Sequence, residues 1–553
     1  MQEMKTAINR AQFGTMIFWV GAFVLLFYGL GFRSLWGSED RWAEVVREML
    51  LSGDFFHPQI NGQPYFDKPL LTYWVIVPST WIAGGLNELS VRLPSALAGI
   101  ATLWGVYKLG IRLFGRDVAL VGSIILATSW GFCFWSRTAA ADAENMAVIV
   151  LAVCWYFGFR HRPGFGTFLG FYLICAVGAQ FKGLTAIAVP LIVILPDILI
   201  QKSWKSYLSI ANGSALAVAL LIYLLPFVYA SLTAKGYGEN GLALAFRENL
   251  LRFFKAFDHK DPFYCYLYYV PFLFIPWIFW LIGAVVDRIR YFKDLDSNQR
   301  WLSLAVFGIF LLFTLSSSRR SYYILPILPF LALMTADFLL RPSNRVLRDR
   351  VMSLQFLLLS ITGMIESLSP LLWPVVESKT GFVAPFGLKA SALVAGVISL
   401  VCLYVGRRRI LTEKFRPPLD RILPLLAAAF VLMGAFFCIQ QNSLEIYRTQ
   451  KPFLISLKKM IPGIPPEKIG ISKNMAGVVF YLNMSRPVID VEKPENLKKF
   501  LAQSGKKIII ARKRDAKKIL AYLVPGSFKE ILSAPDFSWS KRNDKGLVAW
   551  EVL

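Results

Sequence analysis

Trp36–Leu71 reads WGSEDRWAEVVREMLLSGDFFHPQINGQPYFDKPLL, a charged island in a chain that is otherwise mostly apolar. It opens on acids, closes on a lysine and is flanked by hydrophobic segments. Ser38 suits an N-cap, Glu39 and Asp40 fill the first turn and Gly53 lies past the end, so 38–53 is predicted to be a helix. Trp42, Val45, Val46, Met49 and Leu50 recur at helical spacing, one apolar stripe suited to lying on a membrane surface. Glu44 and Glu48, accompanied by Arg41 and Arg47, read as a solvated, ion-paired face. A Gly-Asp turn, an Asn-Gly turn and Tyr65-Phe66-Asp67-Lys68-Pro69 complete the island. Whether the apolar run after it, 70–86, crosses a membrane sets the direction of every later segment.

The 553 residues are 56% hydrophobic and only 17% charged, with a mean hydropathy of +0.51. Repeated apolar runs of membrane-spanning length make this a polytopic α-helical membrane protein. Fourteen apolar segments run from 13–30 to 420–440. Between them lie basic clusters, among them Lys108/Arg112/Arg116, Lys202/Lys205 and Arg407/Arg408/Arg409. The positive-inside rule puts all of these in the cytoplasm only if 70–86 stays out of the count. The run is therefore read as re-entrant or interfacial. About thirteen spans remain, with the N-terminus inside, the C-terminus outside and an outer loop at about 31–90. The first apolar run lacks a small-residue cleavage site after it and is expected to be a retained span.

The net charge of +25 would suggest nucleic acid in a soluble protein. Here it serves topology and contact with anionic lipid headgroups, so no nucleic-acid partner is expected. The six cysteines all lie in apolar runs without metal-ligand spacing and read as small buried hydrophobes.

After about 440 the composition changes. Strands are predicted at Lys468–Ile471, Val488–Val491, Lys507–Ala511 and Leu547–Val552, with helices at Asn474–Leu482, Pro494–Gln503 and Asp515–Leu523. This divides the chain into a membrane domain, 1–440, and a small α/β domain, 441–553, on the outer side.

The outer segments gather the residues that could carry chemistry. Glu39 and Asp40 are candidate carboxylates at a helix start, with helix stabilisation as the plainer reading. Lys68, with Tyr65 as a hydrogen-bond donor, suits a lipid phosphate. Asp142 is a candidate base or orienting acid, and helix capping is the competing account. Lys182 sits in a tight hairpin where a charge beside hydrocarbon is costly, which favours function. Arg252, Arg319 and Arg320 could clamp a phosphate bidentately. A lone His259 reads as a packed or solvated residue. No glycine-rich phosphate loop is present, so an activated donor would arrive through the membrane.

Together these stretches resemble the bacterial lipid A 4-amino-4-deoxy-L-arabinose transferases, relatives of the protein O-mannosyltransferases in the GT-C class. The match is carried by Glu39-Asp40-Arg41-Trp42-Ala43-Glu44, Arg47-Glu48-Met49, Ser52-Gly53-Asp54, Asn61-Gly62, Pro64–Pro69, Arg92-Leu93-Pro94-Ser95, Asp142, Lys182-Gly183, Asn249 to Tyr264 and Tyr323-Ile324-Leu325-Pro326. The resemblance implies a bacterial inner-membrane enzyme with a periplasmic C-terminal domain. Its donor would be an undecaprenyl-phosphate-linked sugar, gripped by Tyr65, Lys68 and Tyr323 with an arginine assisting. Its acceptor would be lipid A or another glycan. Asp67 and His259 fall where the family shows what looks like a metal pair; no cofactor is required by the sequence, and a divalent metal stays open. The family opens its helix motif with Asp-Glu where this chain has Ser38-Glu39, so Glu39 or Asp40 would have to supply the missing acid.

The resulting expectation is inverting sugar transfer on the outer leaflet, with Asp142 or Glu39/Asp40 serving the acceptor. Transfer to another glycan or to protein is the alternative within the class. A secondary transporter or flippase ranks lower, because the ionisable residues gather at the outer rim rather than at mid-membrane. A non-catalytic assembly protein is a third reading.

Overall fold

The computed structural model describes residues 2–65, 68–233, 261–411, 418–473 and 475–552, with the backbone alone over 2–12. Helix α1 (Gln2–Phe27) leads into the polar loop, which holds α2 (Glu39–Ser52), a small antiparallel pair β1 (Gln59–Ile60) and β2 (Gln63–Pro64), and short helices α3 (Leu71–Trp74) and α4 (Ile76–Ile82). Long helices follow: α5 (Glu88–Phe114), the pair α6 (Arg116–Ala127) and α7 (Trp130–Ser136), α8 (Asp142–Phe159), α9 (Phe165–Lys182), α10 (Thr185–Ile200) and α11 (Ile210–Thr233). Then come α12 (Tyr266–Leu273), α13 (Ile278–Arg290), α14 (Ser297–Leu315), α15 (Leu328–Leu340), α16 (Arg345–Thr380), α17 (Phe386–Leu411) and α18 (Pro418–Ala435).

Eight of the described helices are long and apolar enough to cross a membrane, nine if α6 and α7 form one broken span. Three shorter apolar helices accompany them. The break has a local cause. Thr128 Oγ1 donates to Ile124 O at 2.7 Å and Ser129 Oγ to Ile125 O at 2.7 Å, ending α6 by back-bonding. The chain then turns through 67°. The run 70–86 forms no helix of membrane-spanning length. It forms helices of four and seven residues, about 11 Å at most by helical rise, against about 30 Å of hydrocarbon. Trp81 and Ile82 at its end are 81% and 74% exposed, as suits an interfacial segment.

Helix α2 departs from its expected setting. Trp42, Val45, Val46 and Met49 are buried, each worth about 1.5–3 kcal/mol of apolar burial. Half of the face expected to be solvated is buried instead, while Arg41 stays exposed and Glu48 half-buried: Arg47 Nε and Nη2 donate to Glu44 at 2.8 and 2.6 Å, and Arg47 Nη1 donates to Met484 O at 2.7 Å. The reason lies four hundred residues away. A helix of the C-terminal region, Ala476–Leu482, packs along α2 and covers the side that sequence spacing assigned to water.

That region begins with α19 (Gln450–Met460) and continues with β3 (Ile469–Ile471), α20 (Ala476–Leu482), β4 (Ile489–Asp490), α21 (Pro494–Leu501), β5 (Lys507–Arg512), α22 (Lys513–Leu520), β6 (Phe528–Ser533) and β7 (Leu547–Val552). The sheet order is β4-β3-β5-β7-β6, with β3 parallel to both neighbours and β7 antiparallel to both of its own. Strand periodicity divides β5 between two cores. Ile508 and Ile510 face α19 and α20, while Ile509 and Ala511 face α21 and α22.

The sheet is pinned to the polar loop by main chain. Asn61 Nδ2 donates to Val488 O and accepts from Val488 N through Oδ1, both at 2.8 Å. Asn61 holds φ at +54°, a conformation asparagine tolerates and alanine resists. At Gly62 a Cβ would stand 2.7 Å from Pro487, so the approach requires glycine. Asn61→Ala is expected to lower stability by about 1–3 kcal/mol, because two buried main-chain groups lose their partner. Thermal melting of the detergent-purified chain reads this directly; an unchanged midpoint would remove Asn61 from the docking.

Candidate active site

One apolar cluster brings the candidate residues into register. Leu70, Ala141 and Phe181 share it, each fully or nearly buried, and they flank Lys68, Asp142 and Lys182 in sequence. Thr72 Oγ1 adds a tie, donating to Phe181 O at 2.8 Å. Polar residues from the first loop, the start of α8 and the end of α9 therefore meet above one hydrophobic floor.

At its centre Lys182 forms an ion pair with Asp142. Each charge sits at the helix end whose dipole favours it: Asp142 opens α8 and Lys182 closes α9. Ala141 precedes Asp142 at φ +57°, turning the chain sharply into α8. Gly183 follows Lys182 at φ +86° and ends α9. The ammonium lies 5.4 Å from the Tyr322 ring centre and 5.5 Å from that of Tyr323, a cation–π arrangement on two rings. Tyr322 itself packs on Trp135 at 4.6 Å. The Lys182 side chain keeps 17% of its surface, while that of Asp142 keeps 2%. Lys182 is thus the member of the pair that a ligand can reach.

The other candidates occupy different settings. Glu39 is fully buried and fully engaged. Arg92 Nε and Nη2 donate to its two oxygens at 2.8 and 2.7 Å, and Ala139 N and Trp36 N donate at 3.1 and 3.2 Å. The Arg92 guanidinium and its neighbours hold this carboxyl below the usual range in spite of burial. Asp40 points the opposite way, with its carboxylate against Gly477 of α20. Its Oδ1 is buried without a hydrogen-bond partner among the described residues. Burial first, and the neighbouring Glu39 charge second, push its pKa up to about 7. Tyr65 accepts a hydrogen bond from Arg41 Nη1 at 2.8 Å. Lys68 is half-buried at the edge of the floor.

Arg319 is spent on main chain, donating from Nε to Asp261 O at 2.8 Å and from Nη1 to Ser316 O. Arg320, next to it, is exposed, and its guanidinium meets no partner among the described residues. Arg252, Asp67 and His259 lie outside the described residues. Among the described residues no group of three or more His, Cys, Asp or Glu is placed to hold a metal ion.

Several organising residues carried no assigned role in the sequence reading. Arg137, 6% exposed, donates to Leu25 O, Tyr28 O and Phe437 O at 2.6–3.1 Å and ties α1 to the end of the membrane bundle. His57 Nδ1 stands 2.7 Å from Asp54 Oδ2. Tyr322 escaped notice beside Tyr323. An arginine on the outer side, against the topological bias, was the available signal for Arg137.

The family described as dolichyl-phosphate-mannose-protein mannosyltransferase matches residues 67–229, which include Lys68, Asp142 and Lys182. The undecaprenyl phosphate-α-4-amino-4-deoxy-L-arabinose arabinosyl transferase of Edwardsiella ictaluri is 32% identical over 56% of this chain and 56% of its own length. A second transferase of that name, from Sodalis glossinidius, is 32% identical over 62% of each chain. The match thus spans less than two thirds of these named relatives. The crystal structure of ArnT from Cupriavidus metallidurans bound to undecaprenyl phosphate superposes with a TM-score of 0.74 at 18% identity, over 97% of this chain and 98% of that one. The chain therefore has the fold of the GT-C membrane glycosyltransferases. Over a little more than half of its length its sequence is similar to aminoarabinose transferases.

Asp40 makes a signed prediction. Its folded pKa lies above the ordinary 3.8, so between about pH 4 and pH 7 the native chain binds more protons than the unfolded one, and stability falls as pH rises. Asp40→Asn is expected to reduce that slope, leaving the part that the buried Glu44, also raised to about 7, contributes, and to raise the melting temperature at about pH 8. Equal pH slopes for the two proteins would place the titration elsewhere.

Proposed function

We propose that this protein transfers a sugar from an undecaprenyl-phosphate-linked donor to lipid A or a related glycolipid at the outer face of the bacterial inner membrane. The observation that carries the reading is the reachable Lys182 ammonium, braced by Asp142 and two tyrosine rings at the end of α9. The fold it sits in is shared with a solved protein that holds undecaprenyl phosphate.

The chemistry follows from that arrangement. The donor's activated bond joins the anomeric carbon to a phosphate, and as it breaks, negative charge grows on the leaving oxygen. Lys182, fixed before the donor arrives, stabilises that charge in a setting with little competing water. Asp142 is the positioning partner: its buried carboxylate pairs with the ammonium and keeps it aimed. Lys68 and the exposed Arg320 supply further positive charge toward the same phosphate, and the Tyr323 hydroxyl supplies a donor. Attack from the face opposite the phosphate inverts the anomeric centre. A phosphate acceptor on lipid A is already anionic and needs no strong base, which suits a site whose acid is committed to a lysine. Glu39, locked to Arg92, serves architecture in this reading.

The same proposal holds that the chain crosses the membrane thirteen times, with the N-terminus cytoplasmic and the sheet domain periplasmic.

Lys182→Met is expected to lower kcat/KM by about a hundredfold to a thousandfold, the scale of a lost transition-state charge, and to lower the melting temperature because the buried Asp142 carboxylate loses its partner. Purified protein incubated with undecaprenyl-phosphate sugars and a panel of acceptors, followed by mass spectrometry, reads both rate and acceptor. Undiminished transfer by Lys182→Met would overturn the assignment. Absence of transfer to every acceptor, with substrate movement across vesicles, would replace the enzyme by a transporter.

A further inference from the structure

A cleft of about 700 Å³ opens where α19, the residues leading into α5 and the end of α20 meet. It is separate from the Lys182 site and has no part in the mechanism above. Its walls carry Arg47, Glu88, Lys451, Lys458, Lys459 and Tyr481.

The charges do not cancel. Glu88 is taken by Lys451 at 2.6 Å and by the Tyr481 hydroxyl at 2.9 Å, and Arg47 by Glu44. Lys458 and Lys459 are left exposed, with no ion pair or side-chain hydrogen bond among the described residues. Lys451, Ile455, Lys458 and Lys459 fall on one face of α19 by helical spacing. Ile455, 43% accessible, and the half-buried Leu86 line the cleft beside those lysines.

The cleft also has a definite height. One wall begins at Glu88, the first residue of a candidate span; another begins three residues after Tyr447, where the candidate span Pro418–Tyr447 ends. The exposed Trp81 and Ile82 stand four residues or more before Leu86 in the same loop. Unneutralised lysines, apolar side chains and a membrane-interface level together define one kind of occupant.

We infer that this cleft seats the phosphate of an anionic lipid in the adjoining leaflet, with Lys458 and Lys459 on the headgroup and Ile455 and Leu86 against its chains. Such a lipid would tether the sheet domain to the bilayer surface and hold it over the polar loop. The inference rests on the membrane placement of the fold and not on sugar transfer.

The test uses the full chain in detergent, titrated with phosphatidylglycerol or with phosphatidylethanolamine and read by native mass spectrometry. Phosphatidylglycerol is expected to be retained preferentially. Lys458→Ser/Lys459→Ser should weaken it by about tenfold, since each interfacial lysine contributes a several-fold factor. Lys205→Ser/Lys293→Ser, remote from the cleft, should leave binding unchanged, and so should Lys182→Met, which separates this site from transfer. Equal retention by wild type and the Lys458/Lys459 variant overturns the inference. Displacement of the lipid by millimolar inorganic phosphate would also overturn it, because the ligand would then be a free anion.

Discussion

Arg92 is the fixed point of the half of this molecule that carries the polar loop. Its guanidinium is 1% exposed, and all five of its N–H groups have acceptors: both oxygens of Glu39, and the carbonyls of Leu30, Arg33 and Ser34. A buried arginine that lost one partner would leave uncompensated charge at a cost of about 3–5 kcal/mol, so the set holds or fails together. The end of α1, the start of α2 and α5 are thereby joined at one point. Through the Ala139 N–H on Glu39, the same point reaches the loop that delivers Asp142.

Geometry at the candidate site depends on that junction by a short route. Arg92 fixes Glu39, Glu39 fixes Ala139, and Ala141 turns sharply into Asp142, which holds Lys182. Beneath, Leu70, Ala141 and Phe181 keep three loops in contact without polar specificity. Polar links set the angles and apolar burial supplies the cohesion.

The membrane helices were legible in the sequence because hydropathy is read one segment at a time. The exclusion of 70–86 from the spans came from charge alone, and two short helices now stand there. In the C-terminal region β5 and β7 lie close to where alternation put them, since both are central strands with strong apolar faces. Strand β6 was missed: it is an edge strand with Lys529 and Glu530 exposed and a register shift, so its pattern is weak. The pairing of Lys182 with Asp142 and the tyrosines was not legible, because those partners lie 40 residues or more away along the chain. The surroundings of α2 were read wrongly for the same reason. Periodicity tells which face of a helix is apolar; it says nothing of what arrives later to cover the other.

The docking of the sheet domain has a consequence for how the protein is made. Leu35 N is held by the Tyr481 hydroxyl at 2.9 Å, and Asn61 by Val488, across separations of 446 and 427 residues. The polar loop is among the first parts synthesised, and its covering partner is among the last. Contacts so distant in sequence close late. Until then Glu44, Arg47 and Asp40 face water rather than protein. A nascent chain interrupted before the sheet domain would hold an uncovered loop, recognisable to quality-control proteases, so the arrangement ties a finished outer surface to completed translation.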